Sequence, residues 1–369
     1  MTEKSLLLLD GRRVSADDIA RFGAGIDAIR TRVRAELGER DVRYIRRLVR
    51  LSRGLEVAGR ALLFAGVFPP AWLVGTCLLA ISKILENMEI GHNVMHGQYD
   101  FTGDPSLEGR RYEWDMASPG DGWRATHNFM HHTYTNIVGK DRDVGYGAIR
   151  MCEEQEWKPI RLFQPLVAAL MGLFFEWGIS GHNVPMKPFF RGEKDLRTIL
   201  GELRPLLVKG ARQILKDYVF FPALAGPFFL PVLLGNVVAN LLRNVWAFAV
   251  IFCGHFTEGV RMYTEAEAEN ETPAESYVRQ LLGSSNLEGG PLFHVLTGNL
   301  SHQIEHHLFP DLPSCRYAEI AVEVRALAAA CHLPYNSGSF TRQFATVWER
   351  IFRYALPPRG SARREARVA

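Results

Sequence analysis

The chain has 369 residues, 47% of them hydrophobic and 22% charged, and 43 basic against 40 acidic residues leave a net charge of +3. That composition excludes a disordered or collagen-like chain, and the near-balance of charge gives no electrostatic case for nucleic-acid binding. Mean hydropathy is −0.05, yet the apolar residues are concentrated in a few blocks. The five cysteines (Cys77, Cys152, Cys253, Cys315 and Cys331) include no CxxC pair, which argues against a disulfide framework, a thiolate zinc site or an iron–sulfur cluster. They read as small buried hydrophobes in a reducing compartment.

Residues 1–53 read as a cytoplasmic or interfacial helical segment. The opening MTEKSLLLLDGRR has four consecutive Leu, too short a run for a secretory signal. Nine Arg lie between Arg30 and Arg53, with Leu37, Val42, Ile45 and Leu48 among them, the pattern of a basic amphipathic helix on a membrane surface. From Gly54 to Ile90 the chain is mostly apolar and is broken by Pro69 and Pro70. This predicts two helices with a sharp turn, each near the ~20 residues that cross a bilayer. Arg60, Lys83 and Glu86 are expected near the outer ends of that hairpin, where long side chains reach water.

Residues 162–180 are apolar but interrupted by Pro165 and Glu176, which fits an interfacial or buried helix better than a span. Residues 218–256 repeat the hairpin pattern, with a turn expected near Leu234–Asn236. Arg243, inside the second helix, requires a partner or a polar bundle face. The turn sequences VFPP and LLGN carry no Lys or Arg, so the positive-inside rule places both turns outside and the remainder in the cytoplasm. The tail PPRGSARREARVA reads as a disordered basic end. The implied organisation is a helical segment over 1–53, a membrane domain over 54–340, and a C-terminal helix and tail over 341–369.

Eight of the twelve histidines fall in three windows, His92–His96, His127–His132 and His302–His307, where an even spread would place fewer than one. The first is HNVMH, with His92 and His96 on one helical face. HNFMHH carries His127, His131 and His132, and HQIEHH carries His302, His306 and His307, both at spacing i, i+4, i+5. Neutral imidazole is a good ligand for iron, zinc or copper, and so many with so few Cys point to more than one ion. Two hairpins with both turns outside return all three windows to one face of the bilayer, where they can build a composite metal site.

Three boxes of the form HxxxH, HxxxHH and (H/Q)xxHH around two apolar hairpins resemble the membrane fatty-acid desaturase family. The strings GHNVMHGQYD, HNFMHHTYTN and GNLSHQIEHHLFPDLPSCRYAEIA are similar to its bacterial acyl-CoA and acyl-lipid branch, and the resemblance covers roughly residues 55 to 335. It implies an all-α membrane protein with four transmembrane helices and a cytoplasmic helical cap holding a non-haem di-iron site. The implied ligands are His92, His96, His127, His131, His132, His306 and His307, with either His302 or Gln303 from the third box and His255 from the end of the fourth span. Where some members carry an Asn one turn before the last of these, this chain has Ile251. Asp141, Asp143 and Glu305 are candidate acceptors for the outward N–H groups of those ligands. His182, His294 and His332 stand outside the boxes.

The implied activity is O2-dependent removal of two hydrogens from a saturated acyl chain on CoA or lipid, with Δ9 as the default position. Two electrons per turnover would come from NAD(P)H through an external ferredoxin or flavoprotein reductase, since the chain has no dinucleotide fingerprint of its own. The same boxes also occur in membrane di-iron hydroxylases of alkanes and lipids. A rival from another class is a zinc peptidase, because HQIEH matches HxxEH with Glu305 as general base.

Overall fold

A computed structural model describes residues 6–7, 11–184 and 186–358, and is predominantly helical. The basic tail from residue 359 and most of the opening segment lie outside the described residues. The only strands among those residues are two short pairs, β1 (Leu6–Leu7) with β2 (Arg13–Val14) and β3 (Asn286–Glu288) with β4 (Ser337–Ser339).

The arginine-rich stretch is divided between two helices, α1 (Ala16–Ala35) and α2 (Glu39–Phe64). Most of its guanidinium groups are taken up by carboxylates: Arg30 and Arg34 by Asp311, Arg40 by Glu319, and Arg46 by Asp104 at 3.1 Å. The outward face of α2 then changes character along its length. Arg43, Arg47 and Arg50 are exposed on its first half, and Leu51, Val57 and Phe64 on its second.

After the predicted turn, α3 (Pro69–Ile84) packs back along α2, with its two prolines in the first turn, where a missing N–H costs nothing. Arg60, Lys83 and Glu86 do not reach out to water as expected; each is under 8% exposed. Lys83 Nζ lies 2.7 Å and Arg60 Nη2 3.2 Å from the carboxylate of Asp217, which is wholly buried. Opposite charge from another helix, invisible in the local sequence, makes burial tolerable for these residues.

The apolar block at 162–180 forms two helices, α4 (Gln164–Leu173) and α5 (Phe175–His182), bent by 100° at Phe174. Leu162, Phe163, Leu166, Leu170 and Phe174 are exposed along one side.

The second hairpin is built differently from the expectation. Helix α6 (Leu196–Ile214) continues through a π turn (Leu215–Phe220) and a last helical turn (Phe221–Leu224), and α7 (Phe229–Phe256) runs unbroken for 28 residues. The reversal falls at Ala225–Phe228, where Gly226 takes a φ of +54° ahead of Pro227. Leu234–Asn236 lies inside α7. Gly235 is there for close approach, since a Cβ at this position would overlap the buried Leu63 side chain and lie 3.2 Å from Thr76 Oγ1. Gly235→Ala is expected to cost about 1–3 kcal/mol through overpacking, read as a lower thermal midpoint in detergent. Arg243 has the partner it requires: its guanidinium pairs with Glu176 of α5, and Asn244 accepts from Nε at 3.0 Å.

One helix among the described residues, Gly226–Phe256, is long and apolar enough to cross a membrane, and the bent pair at 159–182 has the composition for a second. Of the later helices, α8 (Pro273–Leu282) and α10 (Tyr317–Ala330) pack against α1 with α9 (Gln303–Leu308) in contact with both, and α11 (Phe340–Ala355) packs on α7.

Candidate metal centre

The first box continues α3 without a break, through a π turn (Leu85–Gly91) into His92–Met95. The second box also lies on a π turn, Arg124–His131, followed by His132–Tyr134. A π turn bonds residue i to i+5, so positions four and five apart share a face. His127, His131 and His132 therefore all point inward. In the third box a 3₁₀ turn (Leu300–His302) ends where α9 begins, and His302 has non-helical angles (φ −102°, ψ 56°). The helical face is therefore Gln303, His306 and His307.

These elements gather eight imidazoles in one buried cluster. Ligand nitrogens of His92, His96, His127 and His306 lie within 4.8 Å of one another, as do those of His131, His255 and His307. His132 bridges the two groups, stacked on His307 at 4.5 Å and edge-on to His96 and His306 at 4.7 and 4.8 Å. Gln303 sets its amide nitrogen 2.9 Å from His255 Nε2, and its Oε1 has no partner. His302 belongs to neither group and stacks instead on His294 at 4.5 Å. The two histidines of HQIEH thus diverge, and Glu305 turns away to Asn286 and Tyr335 at 2.7 and 2.8 Å. That is not the arrangement of a zinc peptidase.

The donor set fits a metal. Gly283 accepts from His255 Nδ1–H at 3.3 Å, and the Gln280 carbonyl from His307 Nδ1–H at 2.9 Å. The Gln280 amide group is itself fixed by donating to the His132 carbonyl at 2.7 Å. Both rings must then present lone pairs at Nε2, and these face each other at 3.1 Å. The Gln303 amide offers one N–H to His255; among the described residues nothing donates to His307 Nε2. His96 Nε2, His127 Nε2 and both nitrogens of His132 are also buried without a partner. Each such atom costs about 1–3 kcal/mol unless something binds it, and cations between the rings would take up one nitrogen of each. All-imidazole donors without thiolate suit iron, zinc or copper.

Burial pushes His96, His132, His306 and His307 well below the usual histidine range, which keeps them neutral and able to ligate. His131 is the exception. Burial opposes its charge, but the carboxylate of Asp141, 3.0 Å from Nδ1, more than offsets that and raises it. Burial raises Asp143, but His127, 3.6 Å away, and the hydrogen bond from His182 at 3.1 Å more than offset that and hold it well below the usual carboxylate range. Asp141 and Asp143 thus stand on the outward nitrogens of box histidines; Glu305 does not.

His182, which stood outside every motif, places Nε2 3.1 Å from Asp143 Oδ1. Gln280 and the Gly283 carbonyl carried no signal in the sequence either, since they act through one amide and one backbone oxygen. A cavity of about 40 Å³ adjoins the cluster, with Met88, Trp114, Trp123, Ile251 and Phe256 among its walls and His92, His131 and His255 on its polar side.

The fatty acid desaturase family model matches residues 68–339. Over 344 residues the chain is 45% identical to an NADPH-dependent stearoyl-CoA 9-desaturase of Mycobacterium tuberculosis, covering 92% of this chain and 81% of that protein. It is 29% identical to an sn-1 linoleoyl-lipid 6-desaturase of Synechocystis sp., over 70% of this chain and 73% of the relative. An acyl-lipid (7-3)-desaturase of Rebecca salina is 26% identical over 72% of this chain. With three histidine boxes converging on one buried cluster and a relative of this identity over nearly its whole length, the chain belongs to the fatty acid desaturase family, membrane enzymes that oxidise fatty acyl chains.

Proposed function

We propose that this protein is an acyl-CoA desaturase that introduces a cis double bond at Δ9 of a saturated long-chain acyl group. The observation that carries the reading is the buried imidazole cluster whose unprotonated nitrogens face one another. The 45% identity to a relative named for stearoyl-CoA and position 9 supports the substrate and the bond.

Two irons are the proposed occupants, one held by His92, His96, His127 and His306, the other by His131, His255 and His307, with His132 between them. Gln303 takes the third-box position beside His255, and His302 is left out. When bound, such an iron pair activates O2 and removes hydrogens from unactivated C–H bonds. The chain's own residues do the rest. Asp141 and Asp143 hold His131 and His127 by their outward nitrogens, and Gln280 and Gly283 hold His307 and His255, so the rings cannot swing away. Met88, Trp114, Trp123, Ile251 and Phe256 give an acyl segment an apolar wall against the imidazoles and exclude water from it. Fixing which two methylenes face the cluster decides which bond is oxidised.

Electrons come from NAD(P)H through a separate ferredoxin or flavoprotein reductase, a reading supported by the word NADPH-dependent in the relative's name. Four helices, α2, α3, α6 and α7, cross the cell membrane. Exposed large apolar side chains support this: Phe64 and Val57 of α2, Leu73 of α3, Val219, Phe220 and Leu224 in the continuation of α6, and Leu234 and Leu242 of α7. The switch on α2 from exposed Arg to exposed apolar residues supports a cytoplasmic boundary there, with the N-terminus and the metal centre on that side. Residues 1–53 then form the cytoplasmic segment, 54–340 the membrane enzyme and 341–369 its C-terminal helix and tail.

Gas chromatography–mass spectrometry of fatty acids from cells expressing the chain with a compatible reductase tests this. A new cis-Δ9 monounsaturated acid is expected. A hydroxylated chain would move the protein to the hydroxylases.

A further inference from the structure

The box histidines are held from outside by carboxylates, and one of those carboxylates is itself held. Asp143 Oδ2 lies 3.6 Å from His127 Nδ1 and 3.8 Å from His131 Nδ1. Its other oxygen, Oδ1, receives His182 Nε2–H at 3.1 Å, and both side chains are 11% exposed. His131 has a second carboxylate, Asp141, at 3.0 Å. Among the described residues, His127 Nδ1 has only Asp143.

His182 is well placed to fix that carboxylate, because the end of α5 is anchored on several sides. The Arg142 guanidinium caps the His182 carbonyl. The next residue, Asn183, accepts from Thr126 Oγ1 at 2.7 Å, one position before His127. The Tyr146 ring stands edge-on to His182 at 5.2 Å. At the other end of α5, Glu176 is paired with Arg243 in the core.

We propose that His182 is a positioning residue of the metal centre: its N–H fixes the Asp143 carboxylate, which sets the ring planes of His127 and His131. The inference rests on the reading of the box histidines as iron ligands. Partners of ligating histidines typically alter metal affinity by about 10–100-fold when removed.

The test uses the full chain in detergent, loaded with ferrous iron, and follows iron release to a chelator alongside helix content and the thermal midpoint. His182→Leu removes the donor, whereas His182→Gln keeps an N–H near the position of Nε2. His182→Leu is expected to release iron about 10–100-fold faster than the wild type, and His182→Gln within a few-fold of it. Release from His182→Leu at the wild-type rate overturns the proposal. Equal release from the Gln and Leu variants also overturns it, since only packing would then matter. If His182→Leu loses helix content, Asp143→Asn keeps the shape and removes the charge. It is expected to show the same acceleration, and wild-type retention there overturns the proposal. His131→Ala serves as the separate control: if that variant keeps its full iron, the ligand reading itself has failed, whatever the His182 variants do.

Discussion

Replacing His306 with alanine is expected to abolish desaturation while the protein still enters the membrane. His306 is completely buried, its Nε2 lies 3.3 Å from that of His92, and its ring contacts those of His96 and His132. No neighbouring side chain can take over a nitrogen donor at that point. The variant should lose product to the level of cells lacking the enzyme, and the purified protein should carry less iron. Helix content should be preserved, because α9 keeps its packing through Ile304 and Leu308. His131→Ala should behave likewise. Wild-type product from either variant would sink the ligand assignment.

The second large effect is expected at Arg243. The Arg243→Met variant leaves the Glu176 carboxylate, 1% exposed, without its cation. Removing one member of a buried ion pair costs about 3–5 kcal/mol, whereas replacing both is often near neutral. The single variant should therefore unfold at a clearly lower temperature in detergent. Combining it with Glu176→Gln should recover most of the loss, because a glutamine carbonyl still accepts from the Ala117 N–H, as Glu176 does at 2.8 Å. Equal stability of the single variant and the wild type would show that the pair does not hold α5 to α7.

What could be read in advance followed the range of the interaction. The boxes carry a dense local signal, and Asp141 and Asp143 lie near enough in sequence to be suspected. The two apolar hairpins and the need for a partner at Arg243 were also legible. The identity of that partner was not, since Glu176 lies 67 residues away. LLGN looks like a turn because Gly and Asn favour turns; in the structure that Gly is a contact point between helices, and a Gly–Pro pair a few residues earlier makes the reversal. The π turn under the second box left no mark in the residue pattern, and it sets His127, His131 and His132 on one face. His182 looked like any solitary histidine because its meaning depends on Asp143, 39 residues earlier.

The shared carboxylate of Asp217 bears on how the chain is made. Arg60 and Lys83 precede it by 157 and 134 residues. At about 5–20 residues per second, a ribosome delivers their counter-charge on the order of ten seconds after the first hairpin has emerged. For that interval Lys83 lacks this counter-charge and Arg60 has only Glu56, one turn before it; on the proposed topology, insertion of the hairpin stays provisional until Asp217 arrives. On that topology membrane entry and folding become one event, in which the helices after residue 196 complete the burial of the first two.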